Sequence, residues 1–365
     1  MERGKKKYLI NMFLLLGLVC GVFYFMIKDH INEVMDIVNT MVTRDLVALF
    51  AILSVNILIG GLLVTTLGRL YNKHYSIREG VSAHLISNMF FSITPMGIAS
   101  YPSSVYIYKK QKMNTEESVS LVMIQTLLKQ IFVVIACVYL SIYFLSNPLS
   151  ATIGHWTFNI STMCMIVCGL NVIVSSALLA MCISKRVHYY VSRIIYFFIR
   201  VFFRKHKEGF VQQKFDEKIE EMEKALNILL SNKFMFIRQM SLHLIKTITL
   251  YGTPYAIYLL INRSAVFDMS TFVYWYTSVM FVSYVAAVLP LPGGSVATET
   301  FASIVLMSAV DGQSAMLTSI ILLWRFFTHY GVVALGALCL FIPVKERERT
   351  AASDIITQGF DRIEK

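Results

Sequence analysis

Long apolar runs alternate with short charged connections along the chain, and the length of the runs sets its class. Tyr8–Ile27, Asp45–Leu67, Ser118–Phe144, Ser161–Ile183, Phe234–Ile261 and Ser314–Ile342 are each long enough for a bilayer-spanning helix, which takes about 20 residues. Two further apolar stretches, Val81–Tyr108 and Thr271–Val310, are interrupted by Pro and Gly, which take the backbone out of helical geometry. Such breaks survive at membrane depth only where protein or a wet cavity surrounds them. The pattern predicts an all-α polytopic membrane protein with about six full transmembrane helices and two Pro/Gly-broken helical hairpins. Thr271–Leu289 is long enough to cross alone, whereas Val81–Ser92 is too short.

Charge sets the expected topology. If both hairpins return to the side they start from, 26 Lys and Arg fall on one side, and Lys28, Arg44 and Arg263 on the other. The positive-inside rule then makes both termini cytoplasmic. Span, hairpin and span from 45 to 144 run out-in-out, and the same series from 234 to 342 runs in-out-in, which is an inverted repeat. Transporters of that design bind substrate near the midplane, where broken helices meet.

The expected domains are a membrane half over 1–183 with its broken hairpin at 81–108, a cytoplasmic segment over 184–233, a membrane half over 234–344 with the hairpin at 271–310, and a cytoplasmic tail over 345–365. Within the cytoplasmic segment, 185–207 interleaves seven Lys and Arg with Tyr189, Tyr190, Tyr196, Phe197, Phe198 and others. It reads as a basic interfacial helix on anionic lipid. Residues 209–233 read as a charged cytoplasmic helix.

Composition removes other classes. Hydrophobic residues make up 56% and charged residues 15% of the 365, too apolar a balance for a soluble domain. The net charge of +11 flanks the spans rather than forming a nucleic-acid surface. All six cysteines lie within apolar runs without paired metal-ligand spacing, so buried thiols are expected, with no metal and no cofactor. The chain has no G-x-x-x-x-G-K-[ST] loop, which argues against ATP hydrolysis.

The ionisable residues inside spans are the candidate chemistry. Each costs about 2.5–3.5 kcal/mol on insertion scales and usually faces a bundle interior or a substrate path. Glu299 follows Pro292 by seven residues and Arg325 sits mid-span in the next helix, so the two are expected to interact. Lys129 occupies the corresponding place in the first repeat. Lys246 lies deep in Phe234–Ile261, with Arg238 nearer the surface. Lys129, Lys246 and Arg325 together would make a cationic cavity suited to a lipid phosphate. His84 and His329 are weaker candidates, read first as packing residues. Pro254 after Gly252 is expected to kink its helix.

Three motifs resemble one family, the membrane domain of lysylphosphatidylglycerol synthase/flippase proteins and its stand-alone relatives. Thr94-Pro95-Met96-Gly97-Ile98-Ala99-Ser100-Tyr101-Pro102, followed by Tyr106 and Tyr108-Lys109-Lys110, resembles the first hairpin of that family. Pro290–Glu299 resembles its Pro-x-Pro-Gly-Gly-x-x-x-x-Glu hairpin. Leu323-Trp324-Arg325-Phe326-Phe327-Thr328-His329-Tyr330 resembles its Trp-Arg-aromatic motif. Ala99-Ser100 departs from the family's usual Gly-Gly pair. The resemblance adds Thr94, Pro95, Pro102, Pro292, Gly293 and Gly294 to Glu299, Arg325, Lys129 and Lys246 as expected substrate-binding residues.

The resemblance implies a flippase that moves an anionic or aminoacylated phospholipid, of the lysyl-phosphatidylglycerol kind, through a polar midplane cavity. It also implies a bacterial, Gram-positive cell membrane and resistance to antimicrobial peptides. One alternative is an aminoacyl transferase acting on phosphatidylglycerol, although the segments outside the spans are too short to hold that chemistry. Another is a translocator or scaffolding partner for a polyprenyl-phosphate-linked sugar or glycolipid in envelope synthesis. Expected partners are the lipid substrate, anionic lipid at 185–207, and a homo-oligomer or a separate synthase.

Overall fold

The computed structural model describes residues 41–94, 97–153, 156–183, 231–289, 294 and 297–340, with isolated positions at 32, 35, 39, 227 and 228. The expected first span Tyr8–Ile27, the basic segment 185–207 and the tail lie outside the described residues. The first long helix, α1, covers Thr43–Gly68, and α2 (Ile77–Ile93) and α3 (Ser100–Lys110) form the first broken stretch. α4 covers Thr115–Ser146 and α5 Ile160–Ile183. α6 (Lys233–Tyr251) and α7 (Thr253–Ile261) share one apolar run, and α8 (Met269–Val288) and α9 (Ala297–Leu306) form the second broken stretch, closed by a 3₁₀ turn at Met307–Val310. α10 (Ser314–Arg325) and α11 (Gly331–Leu340) complete the order, joined by a π turn at Phe326–Tyr330.

Six helical runs among the described residues are long and apolar enough to cross a membrane, so the chain is an all-helical polytopic membrane protein. Five coincide with expected spans. The sixth is α8, so the first arm of the second hairpin has the length of a full span, 20 residues, whereas α2 has 17. One small departure from all-α is an antiparallel pair between α4 and α5: β1 (Ser150–Ile153) against β2 (Trp156–Asn159), with Ser150 opposite Asn159 and Ile153 opposite Trp156. Thr152, Ile153, Thr157 and Phe158 are strand-favouring residues.

The helix ends follow from local chemistry. Ser76 and Glu79 form a reciprocal capping box on α2, with Ser76 N–H to Glu79 Oε2 at 2.7 Å and Glu79 N–H to Ser76 Oγ at 3.3 Å. Asn114 and Glu117 do the same on α4 at 2.8 and 2.7 Å. Both hairpin breaks obey the rule that the residue before proline avoids helical geometry. Thr94, before Pro95, is extended at φ −116, ψ 145, and Leu289, before Pro290, is extended at φ −79, ψ 139. The run 233–261 breaks at Gly252 and restarts with Pro254 in the first turn of α7, as expected from the sequence.

The chain forms two compact units. One contains the described residues within Met1–Leu62, Ser76–Ile107 and Ile245–Glu346; the other contains those within Leu63–Tyr75 and Tyr108–Leu244. In the first, α2 is gripped through glycines. A side-chain carbon at Gly336 of α11 would meet Leu85 O at 2.5 Å and Met89 Cβ at 2.8 Å. Gly60 and Gly61 of α1 likewise lie against His84 and Val81. Met89, Val333 and Ala337 are buried together there. Asn56 donates to Lys246 O at 3.3 Å and to Thr249 Oγ1 at 3.1 Å, tying α1 to α6. In the second unit α4 packs along α5, where Ser175 donates to Gln130 Oε1 at 2.8 Å, and Gln239 donates to Thr66 and Leu63 O.

Candidate functional site

Glu299 lies in the first turn of α9, where the chain resumes helix after the second break. Unpaired backbone N–H groups make that helix end partly positive, a favourable place for a carboxylate. Gly294, in the break, has φ +65, left-handed geometry that favours glycine. Thr298 N–H and Thr298 Oγ1 both donate back to Gly294 O, at 2.9 and 2.8 Å, which fixes the first turn of α9.

The expected partner is in place. Arg325 Nε donates to Glu299 Oε1 at 2.8 Å. The Arg325 side chain is 8% exposed and that of Glu299 25%. Tyr330 adds a third group, with its hydroxyl donating to the same Oε1 at 3.5 Å and its ring centroid 5.8 Å from the guanidinium carbon. Glu299 Oε2 is buried with no hydrogen-bond partner among the described residues, and so is Trp324 Nε1.

Tyr330 was not among the expected site residues. Five residues past Arg325 on a regular α-helix it would fall toward the opposite face. The π turn closes with Gly331 N–H on Phe326 O, an i to i+5 bond whose wider loop brings Tyr330 round to Glu299. The only sequence signal was its place in the Trp-Arg-aromatic motif.

The first hairpin shows polar links of a different kind. Thr94 Oγ1 donates to Phe90 O at 2.7 Å and accepts from Ala99 N–H at 3.3 Å. Ser87 Oγ lies 2.9 Å from Ser100 Oγ and 2.8 Å from Ser104 Oγ. Ser100, standing where the family usually has glycine, thus ties α2 to α3. Gly97 of this hairpin is left-handed, at φ +68 with the Phe91 ring against it, a position inside the first motif that was not among the expected site residues. Pro102 is exposed in the first turn of α3, where a missing N–H costs nothing. Pro95, Pro292 and Gly293 lie outside the described residues.

Lys246 is half-buried on α6 in the first unit, and its carbonyl accepts from Asn56 and Thr249. Lys129 belongs to the second unit, on α4. Arg238 is exposed near the start of α6. His84 contacts Asn88 and packs at Gly60, and His329 lies edge-on to Tyr330 at 5.2 Å. Cys137, Cys164 and Cys168 are buried free thiols, with 3.8 Å between the last two sulfurs.

One ion pair was not anticipated. Arg263 donates from both terminal nitrogens to Asp45, whose side chain is fully buried. Val42 N–H donates to the same carboxylate at 3.2 Å.

Residues 12–336 match the family described as Lysylphosphatidylglycerol synthase TM region. No curated protein and no solved structure matches the chain.

Proposed function

The chain belongs to the lysylphosphatidylglycerol synthase transmembrane-region family, and from that premise we propose that it translocates a phospholipid between bilayer leaflets. The substrate class is an anionic or aminoacylated phospholipid. The observation that carries this reading is the Glu299–Arg325 pair, built where a broken helix resumes and leaving Oε2 buried without a partner among the described residues. A carboxylate placed only for structure satisfies both oxygens when it is buried. An open acceptor beside a fixed guanidinium suits a headgroup that brings both a donor and a phosphate, as an aminoacylated phospholipid does.

The two broken hairpins support the same reading, because they supply non-helical backbone that a headgroup crossing the midplane meets in place of lipid. Gly294 takes the left-handed geometry in one break. Thr94 and Gly97 hold the other. Acyl chains stay in the bilayer while the headgroup passes, and an inverted repeat rocking about the site exposes it to either leaflet.

The test is transbilayer movement of fluorescent phosphatidylglycerol and lysyl-phosphatidylglycerol in proteoliposomes. Wild type is expected to move one of them, and Glu299→Gln to lose movement while eluting and melting as a folded protein. Movement of neither lipid by intact wild type overturns the proposal.

A further inference from the structure

Two short connections concentrate positive charge. Arg69 and Lys73 follow α1, and Lys109, Lys110 and Lys112 close α3. Arg69, Lys73, Lys109 and Lys112 are exposed and Lys110 is half-buried. The acids that come next in the chain are Glu116 and Glu117, and Glu117 is engaged in the cap of α4, accepting from Asn114 N–H at 2.8 Å. Among the described residues none of the five cations has a carboxylate partner.

The two connections are bound into one surface. Tyr75 OH donates to Gln111 Oε1 at 2.5 Å, and the Tyr71 and Ser120 hydroxyls lie 2.6 Å apart. Both tyrosines are buried. Arg69 Nε donates to Tyr75 O at 3.1 Å, which fixes the base of its guanidinium. All of these residues belong to the second unit.

Lys112 is held in left-handed geometry, at φ +70. Its N–H donates to Lys109 O and Met113 N–H donates to Tyr108 O, both at 3.1 Å, the helix ending whose left-handed position usually holds glycine. The negative end of α3 favours Lys109 and Lys110. A side chain at position 112 carries strain that glycine avoids, and strain kept at an exposed charge points to work for that charge.

The chain brings an acidic run back to this place. Gln239 of α6 donates to Leu63 O at 3.3 Å and to Thr66 Oγ1, in the last turns of α1, so the start of α6 lies beside the connection that carries Arg69 and Lys73. Ten residues before Lys233, where α6 begins, ends a run with five carboxylates in eight positions: Asp216, Glu217, Glu220, Glu221 and Glu223. At about 3.5 Å per residue at most, Glu223 is tethered within about 35 Å of that start, and such a tether gives an effective concentration on the order of millimolar.

We propose that Arg69, Lys73, Lys109, Lys110 and Lys112 form the docking surface for the chain's own acidic run, Asp216–Glu223. Each exposed ion pair contributes little by itself. The array gains from its number, from the fixed arrangement that Tyr71 and Tyr75 impose and from the short tether. Docking links the connector between the two membrane halves to the ends of α1 and α3, and it is independent of the lipid-translocation reading.

The full chain, as a mixture of isotopically light and heavy copies, is reconstituted in phosphatidylcholine vesicles and treated with a carbodiimide, which joins a carboxylate directly to an amine. Mass spectrometry is expected to find links from 216–223 to Lys73, Lys109, Lys110 or Lys112 within one copy. Their yield is expected to fall about fivefold in 1 M salt, where charges are screened beyond about 3 Å. Glu220→Lys with Glu221→Lys is expected to lower the yield by a similar factor while the protein elutes and melts as wild type does. Absence of these links, or a yield that neither salt nor the reversal changes, overturns the docking. Links that join light to heavy copies give the surface to a second copy and overturn it as well. Links that form in phosphatidylcholine but are abolished by phosphatidylglycerol assign the surface to anionic lipid, with the same consequence.

Discussion

Arg325 and Glu299 meet through a hydrogen bond, Nε to Oε1 at 2.8 Å, and the second carboxylate oxygen stays buried without a partner among the described residues. Removing one member of a buried pair strands the other and costs about 3–5 kcal/mol when burial is complete. Glu299 is 25% exposed, so the loss expected for Arg325→Gln or Glu299→Gln alone is at or below the lower end. The double variant removes both charges and is expected to recover much of the lost melting temperature without recovering translocation. Recovery of translocation together with stability would make the pair structural.

Five of the expected spans and both hairpin breaks were legible in the sequence because their causes are local. Apolar length sets a span, and Pro95 and Pro290 force Thr94 and Leu289 out of helix. The Glu299–Arg325 pair was legible because two buried charges in adjacent segments need each other. Tyr330 was not, since its place depends on a π turn that no residue pattern announces. Asp45 was read only as the boundary of a span, and its partner lies 218 residues away. The close approach at Gly60, Gly61 and Gly336 depends on which helices meet, which periodicity does not encode.

Asp45 and Arg263 give an asymmetric prediction. The Asp45 side chain is fully buried while that of Arg263 is 49% exposed. Arg263→Ala strands a buried carboxylate and is expected to cost about 3–5 kcal/mol. Asp45→Asn leaves a guanidinium that water can solvate and a side-chain oxygen that still accepts from Val42, so its cost is about 1 kcal/mol. Thermal unfolding of both variants in one detergent checks the order. Equal losses would mean that the carboxylate gains little from its partner.

Gly336 and Gly169 are expected to respond to alanine with opposite signs. At Gly336 the added carbon meets Leu85 O at 2.5 Å and Met89 Cβ at 2.8 Å, so α2 and α11 must part, at a cost of about 1–3 kcal/mol. At Gly169, inside α5, it meets nothing within 4 Å, and alanine is expected to stabilise by about 0.4–1 kcal/mol through the unfolded chain. Melting temperatures of the two variants against wild type test both signs, and a Gly336→Ala protein as stable as wild type would refute the close α2–α11 approach.

Asp268 gives a pH signature outside the spans. It caps α8, accepting from Ser270 Oγ at 2.5 Å, Thr271 N–H at 2.7 Å and Thr271 Oγ1 at 2.8 Å. The Ser270 hydroxyl, then the Thr271 amide and hydroxyl, hold its pKa down from 3.8 to about 2. Because the folded carboxyl is the stronger acid, the unfolded chain takes up the proton first as pH falls. The stability the cap contributes is therefore complete above pH 3.8 and is lost as pH drops through about 2. Asp268→Asn cannot titrate, so subtracting its melting temperature from that of wild type cancels every other acid. The difference is expected to be constant above about pH 5 and to shrink steadily between about pH 4 and 2; a difference that stays flat through that window would show that the carboxylate is not held by its cap.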